Sequence, residues 1–202
     1  MLDLKNRIAS SCADELRTAI SGRVAVPGHE LYEEGCRVWN RAVRSCPAIV
    51  AFCKRPEDVQ AAVQAARRHG LKLSVRGGGH DWAGRALRDG GLVIDLTGMR
   101  DVVVDPRARV ATVAGGALAK DVAAAAGAHN LVAALGNCGT VGMAGLTLGG
   151  GYGPLNGTCG LAADNLLGAE IVLADGRRVT TGPDGEPDCS GRCALVAATS
   201  AS

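Results

Sequence analysis

Residues 71–80 read LKLSVRGGGH, and residues 136–153 read GNCGTVGMAGLTLGGGYG. In the first stretch an alternating, strand-like run enters three consecutive glycines and ends on His80. A strand that ends in glycines lets several backbone N–H groups reach one anion, because no Cβ holds the ligand away. Arg76, at the strand's end, adds a fork of donors. The second stretch has eight glycines in eighteen residues and offers the same chemistry again. Two such loops together suit a pyrophosphate carrying an extended cofactor. Neither has the glycine fingerprint of a first strand and its helix, nor the lysine of a P-loop, so Rossmann and NTPase readings are set aside. The bland alternative is a pair of tight bends at a sheet edge. Against it stand His80, closing the first loop, and Cys138, inside the second. One histidine or one cysteine is ordinarily a structural residue. One on each glycine loop points to a shared ligand.

Outward from the first loop, residues 47–52 (PAIVAF) suit a short buried strand. Residues 56–69 (PEDVQAAVQAARRH) place Val59, Ala62, Val63 and Ala66 at helical spacing, with Pro56 and two acids at the start and Gly70 past the end. With the strand at 71–76 this is a βαβ-like unit. Residues 92–96 (LVIDL), 102–105 (VVVD) and 110–114 (VATVA) are strand-like, and the Ala-rich 118–128 is helical. Residues 169–173 and 178–181 flank Ala-Asp-Gly-Arg, a hairpin signal. No repeat or linker interrupts the chain. The expectation is one α+β unit with two lobes.

Composition narrows the partners. With 47% hydrophobic and 21% charged residues, the chain is not of the disordered class. Gly 29 against 2% aromatics implies many tight turns or close backbone–ligand approaches. A net charge of +2, with no Lys/Arg run interleaved with aromatics, argues against nucleic acid as a partner. Residues 1–16 hold no apolar stretch long enough for a signal peptide or a span, so no membrane partner and a cytoplasmic location are expected. The 8 cysteines lack zinc spacing: Cys36, Cys46 and Cys53 are far apart, and Cys189 and Cys193 have no neighbouring His. No metal site is expected, and most of these thiols read as reduced and buried.

The runs SVRGGGHDWAG, GGLVIDLTGMRDVVVDPRARVATVAGGA and CGTVGMAGLTLGGGYGPLNGTCGLAADNLLGAEIVLADG resemble the berberine bridge enzyme-like FAD-linked oxidases. These belong to the wider family with a p-cresol-methylhydroxylase-type FAD domain that includes vanillyl-alcohol oxidase. The resemblance covers residues 22–188 and implies FAD as cofactor, bonded through its 8α-methyl to His80 and through C6 to Cys138. It assigns the backbone of Arg76, Gly77, Gly78 and Gly79, and that of Thr140, Val141, Gly142 and on to Gly145, to the pyrophosphate, with Gly149, Gly150 and Gly151 nearby. Asp164 and Asn165 would seat the cofactor from the far side, and Asp81, Gly136 and Ile171 complete the implied contacts. The implied reaction is hydride transfer to flavin from a small organic substrate (an alcohol, a sugar or an alkaloid-like molecule), with dioxygen as acceptor. No catalytic residue is assigned. A neutral imidazole and a thiolate are both nucleophiles, so His and Cys suit the two bonds. Tethering the ring fixes its geometry and is expected to raise its reduction potential. The chain departs from the family at Asp81 and Trp82, where a small polar residue and Tyr are frequent, and at Gly139, which replaces a frequent Pro.

The expected organisation is an N-terminal helical segment at 1–21, an FAD-binding domain of the p-cresol-methylhydroxylase type at 22–188, and a tail at 189–202. Family members continue into a substrate domain and a segment that returns to close the FAD domain. Here the fold is expected to be incomplete, with the substrate domain missing. The tail, CSGRCALVAATSAS, matches nothing in the family and shows no period. It reads either as a disordered tail or as an out-of-frame one. Shifted by one base, its codons permit LFWALRAGGGNFG, the family's continuation, so a one-base deletion at or just after the Asp188 codon is expected. A chain without the substrate domain has no wall over the flavin and no general base there. The alternative function is therefore a catalytically inactive flavin-binding fragment.

Overall fold

The computed structural model describes residues 2–182 and 194–201. Its elements run α1 (Leu2–Ala19), β1 (Arg23–Ala25), α2 (Tyr32–Gly35), β2 (Ile49–Phe52), α3 (Pro56–Arg68), β3 (Leu73–Arg76), β4 (Leu92–Asp95), β5 (Val102–Asp105) and β6 (Val110–Ala114). They continue with α4 (Ala119–Gly127), α5 (Met143–Leu148), α6 (Asn156–Cys159), a 3-10 turn (Ala163–Asn165), β7 (Leu166–Val172), β8 (Arg178–Thr181) and β9 (Ala194–Ala201).

The first sheet has the order β1-β2-β4-β3, with β2, β4 and β3 parallel and β1 antiparallel at one edge. Every residue of β2 (IVAF) and β4 (LVID) is buried, as a parallel sheet covered on both faces requires. One face receives α1 and α3, whose Cys12, Leu16, Val59 and Ala62 join Ile49, Ala51, Leu92 and Ile94 in a single apolar cluster. The other face packs Val50, Phe52 and Val93 against Tyr32, Val38 and Leu87. The helix α3 begins on Pro56 and is followed by Gly70 at φ +64°, the punctuation that the sequence predicts. Its first turn is fastened by Asp58, a fully buried carboxylate that accepts the backbone N–H groups of Ser21 and Lys54, each at 2.9 Å.

The second sheet has the order β5-β6-β9-β7-β8, all antiparallel. Two hairpins, β5–β6 and β7–β8, leave facing edges, and β9 fills the gap by pairing with both. That segment shows no period in the sequence. Its place in the fold comes from two rows of backbone groups that need partners. Asp188, where the frame change is expected, and residues 189–193 lie outside the described residues.

Two features differ from the sequence reading. The first buried strand begins at Ile49, not Pro47, whose carbonyl instead accepts the Tyr32 hydroxyl at 2.7 Å. The second glycine stretch is not a single loop, because Met143–Leu148 is helical. Within it Met143 and Thr147 are buried one turn apart, and Met143 joins Ala111, Val113 and Val122 beneath the second sheet. The architecture is the expected α+β arrangement in two lobes, with a glycine loop carried by each.

Candidate functional site

The first loop leaves β3 at Arg76 and the second links α4 to α5. They meet backbone to backbone. A Cβ built on Gly78 would lie 2.3 Å from the Gly142 nitrogen, and one built on Gly142 would lie 2.4 Å from the Gly78 nitrogen. Only glycine at both positions permits this approach. The second loop is held by the start of α4: Ala119 N–H donates to Val141 O and Lys120 N–H to Gly139 O, both at 2.9 Å. Met143 N–H donates to Ala117 O at 2.9 Å, which fixes the loop's exit.

His80 and Cys138 are brought to one oxygen. His80 Nε2 lies 2.8 Å from Thr140 Oγ1, and Cys138 Sγ lies 3.2 Å from the same atom. Trp39 stacks on the imidazole, with ring centroids 5.8 Å apart and planes 22° from parallel. The Trp39 backbone N–H donates to Gly79 O at 2.9 Å. Burial lowers the His80 pKa and so favours the neutral imidazole. The hydroxyl and the backbone N–H of Thr140 lower the Cys138 pKa and favour the thiolate. A neutral nitrogen nucleophile and an ionisable thiol thus share one corner of the molecule.

His80, but neither Cys138 nor Thr140, lines an adjoining cavity of about 410 Å³. Its walls include Gly77, Gly78, Gly79, His80 and Asp81 from the first loop. Val141, Gly142 and Gly145 come from the second. Asp81 Oδ1 pairs with Arg85 at 2.9 Å, an i, i+4 partner that also lines the cavity.

Arg76 requires a correction. The sequence suggests that its guanidinium is a fork for phosphate, but the side chain turns to the carboxylate of Asp95 and toward Gly35 O. Arg76 and Asp95 are register partners on β3 and β4, and a fully buried acid beside a cation pairs with it before any ligand does. Asp95 also accepts Thr97 N–H at 2.8 Å.

The remaining expected residues lie off the cavity wall. Gly136 rests against the Leu146 side chain, and the Gly149 N–H closes α5 on Gly145 O. Gly150 and Gly151 take positive φ and receive the turn at Ala162 and Ala163 through their carbonyls. Asp164 accepts Leu161 N–H, and Asn165 donates to Cys159 O and Leu161 O, all at 2.8 Å. Ile171 is buried with Ala169 and Ala144. Several residues beside the site escape the sequence reading, Arg85, Ala86, Leu146 and Leu148 among them. Gly115, which lies under Gly77, is flagged only by the Gly-Gly after β6, while Leu96 and Trp39 carry no signal at all.

Among the described residues no cluster of three or more His, Cys, Asp or Glu could hold a metal ion. Among them, too, no helix is long and apolar enough to cross a membrane.

Comparison with known proteins matches residues 47–182 to the FAD binding domain family. The (R)-6-hydroxynicotine oxidase of Paenarthrobacter nicotinovorans is 35% identical over 170 residues, covering 84% of this chain and 37% of its own. Among solved structures, the BBE-like 1 protein of Physcomitrella patens superposes with a TM-score of 0.87 at 30% identity, over 95% of this chain and 43% of that one. A glucooligosaccharide oxidase from Acremonium strictum, which carries a 6-S-cysteinyl, 8α-N1-histidyl FAD, superposes with a TM-score of 0.88 at 30% identity, over 95% and 42%. The chain therefore spans well under half the length of the relatives it matches.

Proposed function

Since this chain belongs to the FAD-binding domain family, among the berberine bridge enzyme-like FAD-linked oxidoreductases, we propose that it holds FAD through covalent bonds to His80 and Cys138. We further propose that it serves the oxidation of a small organic substrate with dioxygen as acceptor. The observation that carries this reading is the meeting of His80 and Cys138 at Thr140 Oγ1. Two loops from different lobes bring a nitrogen and a sulfur nucleophile to one hydroxyl, within reach of a single ring, and His80 lines the adjoining cavity.

The donor set fits the group. The cavity is walled by the glycine backbone of both loops, and the contact between Gly78 and Gly142 leaves no room for side chains there. Such bare backbone can cradle a pyrophosphate. When bound, FAD supplies a two-electron acceptor that takes a hydride equivalent from substrate. The chain's residues do the rest. Burial keeps His80 neutral, so a lone pair is available for bonding. Thr140 engages Nε2 and leaves the opposite ring nitrogen, Nδ1, for the tether. Trp39 holds the plane of the imidazole. The Arg76–Asp95 pair anchors the strand end from which the first loop departs. In substrate oxidation His80 and Cys138 act as tethers and not as acid–base catalysts.

The runner-up reading is a chain that holds flavin without turning over substrate. Expression with FAD separates the possibilities. The mass spectrum of the denatured chain is expected to show the added mass of FAD. His80→Ala should leave one bond and His80→Ala with Cys138→Ala none. Flavin that survives denaturation on the double variant would falsify the assignment. Substrate-dependent bleaching of the bound flavin marks turnover, and stable yellow colour with every alcohol, sugar and amine donor marks a holding role.

A further inference from the structure

We propose that Thr140 is a positioning residue for cofactor attachment, its hydroxyl carrying the Cys138 proton to His80 Nε2 as the thioether forms. This inference rests on the tether reading above and assigns to a side chain what that reading leaves to backbone.

Three observations support it. The first is distance: Oγ1 lies 2.8 Å from Nε2 and 3.2 Å from Sγ, so one oxygen is in reach of both groups. The second is donor arithmetic. A hydroxyl gives one proton and accepts through its lone pairs, and a neutral imidazole whose Nδ1 is to form the tether accepts at Nε2. Before transfer Sγ–H donates to Oγ1 and Oγ1–H donates to Nε2; after transfer Nε2–H donates to Oγ1 and Oγ1–H donates to the thiolate, the arrangement that lowers the Cys138 pKa. The third is rigidity. The carbonyls on either side of Thr140, those of Gly139 and Val141, are both bound by the first turn of α4. The backbone that carries Thr140 is therefore fixed, and its exposed hydroxyl reaches both groups from a single rotamer. Cys138 is exposed, and no cation pairs with it among the described residues, so Thr140 is the group that activates the thiol.

The step balances with dioxygen as oxidant. The Cys138 S–H bond breaks and an S–C bond to flavin C6 forms. The thiol proton passes through Oγ1 to Nε2. The hydrogen on C6 leaves as a proton, and two electrons enter the ring. Dioxygen then removes two electrons and, with the two protons, becomes hydrogen peroxide. A His80 bonded through Nδ1 still presents Nε2, so the relay works before or after the first tether is made.

Two measurements on the full chain test this. In protein prepared without FAD, the pH dependence of Cys138 alkylation by iodoacetamide is followed by peptide-resolved mass spectrometry. Thr140→Val is expected to move the midpoint up by about one pH unit, while Thr140→Ser keeps it near the wild-type position. In protein given FAD, Thr140→Val is expected to slow formation of the Cys138 bond by about tenfold or more while the His80 bond still forms, and Thr140→Ser to restore it. Thermal melting of both variants controls for folding. An unmoved alkylation midpoint, or equal attachment at Cys138 in Thr140→Val and wild type, overturns the proposal. Wild-type protein that forms no bond at Cys138 instead overturns the tether reading, and the proposal with it.

Discussion

Arg76, the last residue of β3, and Asp95, the last residue of β4, are register partners whose side chains form an ion pair with the acid fully buried. The pair lies at the root of the first glycine loop. Truncating Asp95 leaves a nearly buried guanidinium without its counter-charge. Asp95→Ala is expected to cost about 3–5 kcal/mol in chemical unfolding. Replacing both partners with apolar residues of similar volume should cost much less, because no unpaired charge then remains. A double variant as unstable as Asp95→Ala would contradict this account.

The contact between Gly78 and Gly142 makes a second prediction. Any Cβ at either position would meet backbone of the other loop, and backbone cannot rotate away as a side chain can. Gly78→Ala and Gly142→Ala are each expected to lose about 1–3 kcal/mol of stability, with a fall in retained flavin. Gly145, beside which an added Cβ meets nothing within 4 Å, is the matched control. Gly145→Ala should leave thermal stability nearly unchanged, and a loss equal to that of Gly142→Ala would show that helix disruption, not loop contact, is responsible.

Asp58 should shape the acid limb of stability. Its carboxylate is held below the usual range by hydrogen bonds from Lys54, Ser21 and Arg55, which together outweigh its burial. The folded state therefore binds this proton less readily than the unfolded chain does. The stabilisation is complete above the ordinary value of 3.8 and is lost as pH falls through the lower folded value. Asp58→Asn should be less stable at neutral pH by about 2 kcal/mol and show a flatter decline in acid. Parallel acid limbs in the two proteins would remove Asp58 from the account.

His80 predicts a different profile, read in the Cys138→Ala variant so that only one bond can form. A protonated imidazole has no lone pair for bonding, and burial moves the folded pKa below the ordinary 6.5. The rate of flavin attachment should rise with pH with its midpoint below the ordinary 6.5 and then level off. Because the folded state disfavours the proton, the same group also destabilises the fold as pH drops below the unfolded value. A midpoint above 6.5 would mean that His80 is held in its charged form, against the present geometry.

Much of this was legible in the sequence because its signals are local. Pro56, the acids after it and Gly70 bracket α3, and the buried runs at Ile49–Phe52 and Leu92–Asp95 mark the central strands. The two loops and the residues His80 and Cys138 could be named without coordinates. What stayed hidden depends on neighbours distant in the chain. The direction of the Arg76 side chain is decided by Asp95, nineteen residues away. The stacking of Trp39 on His80 follows from fold alone. The helix α5 hides among glycines because its apolar residues are recognised only against the second sheet. Thr140 looks like one more loop residue until its hydroxyl is seen between the imidazole and the thiol.

His80 departs from the first sheet, and Cys138 precedes a helix packed on the second. A cofactor bonded to both would close the intervening chain into a covalent ring of roughly sixty residues, which by loop-closure entropy restricts the unfolded state by about 4 kcal/mol. The flavin would then act as a crosslink as well as a redox group, and melting of the doubly attached protein should exceed that of either singly attached variant for reasons independent of any native contact.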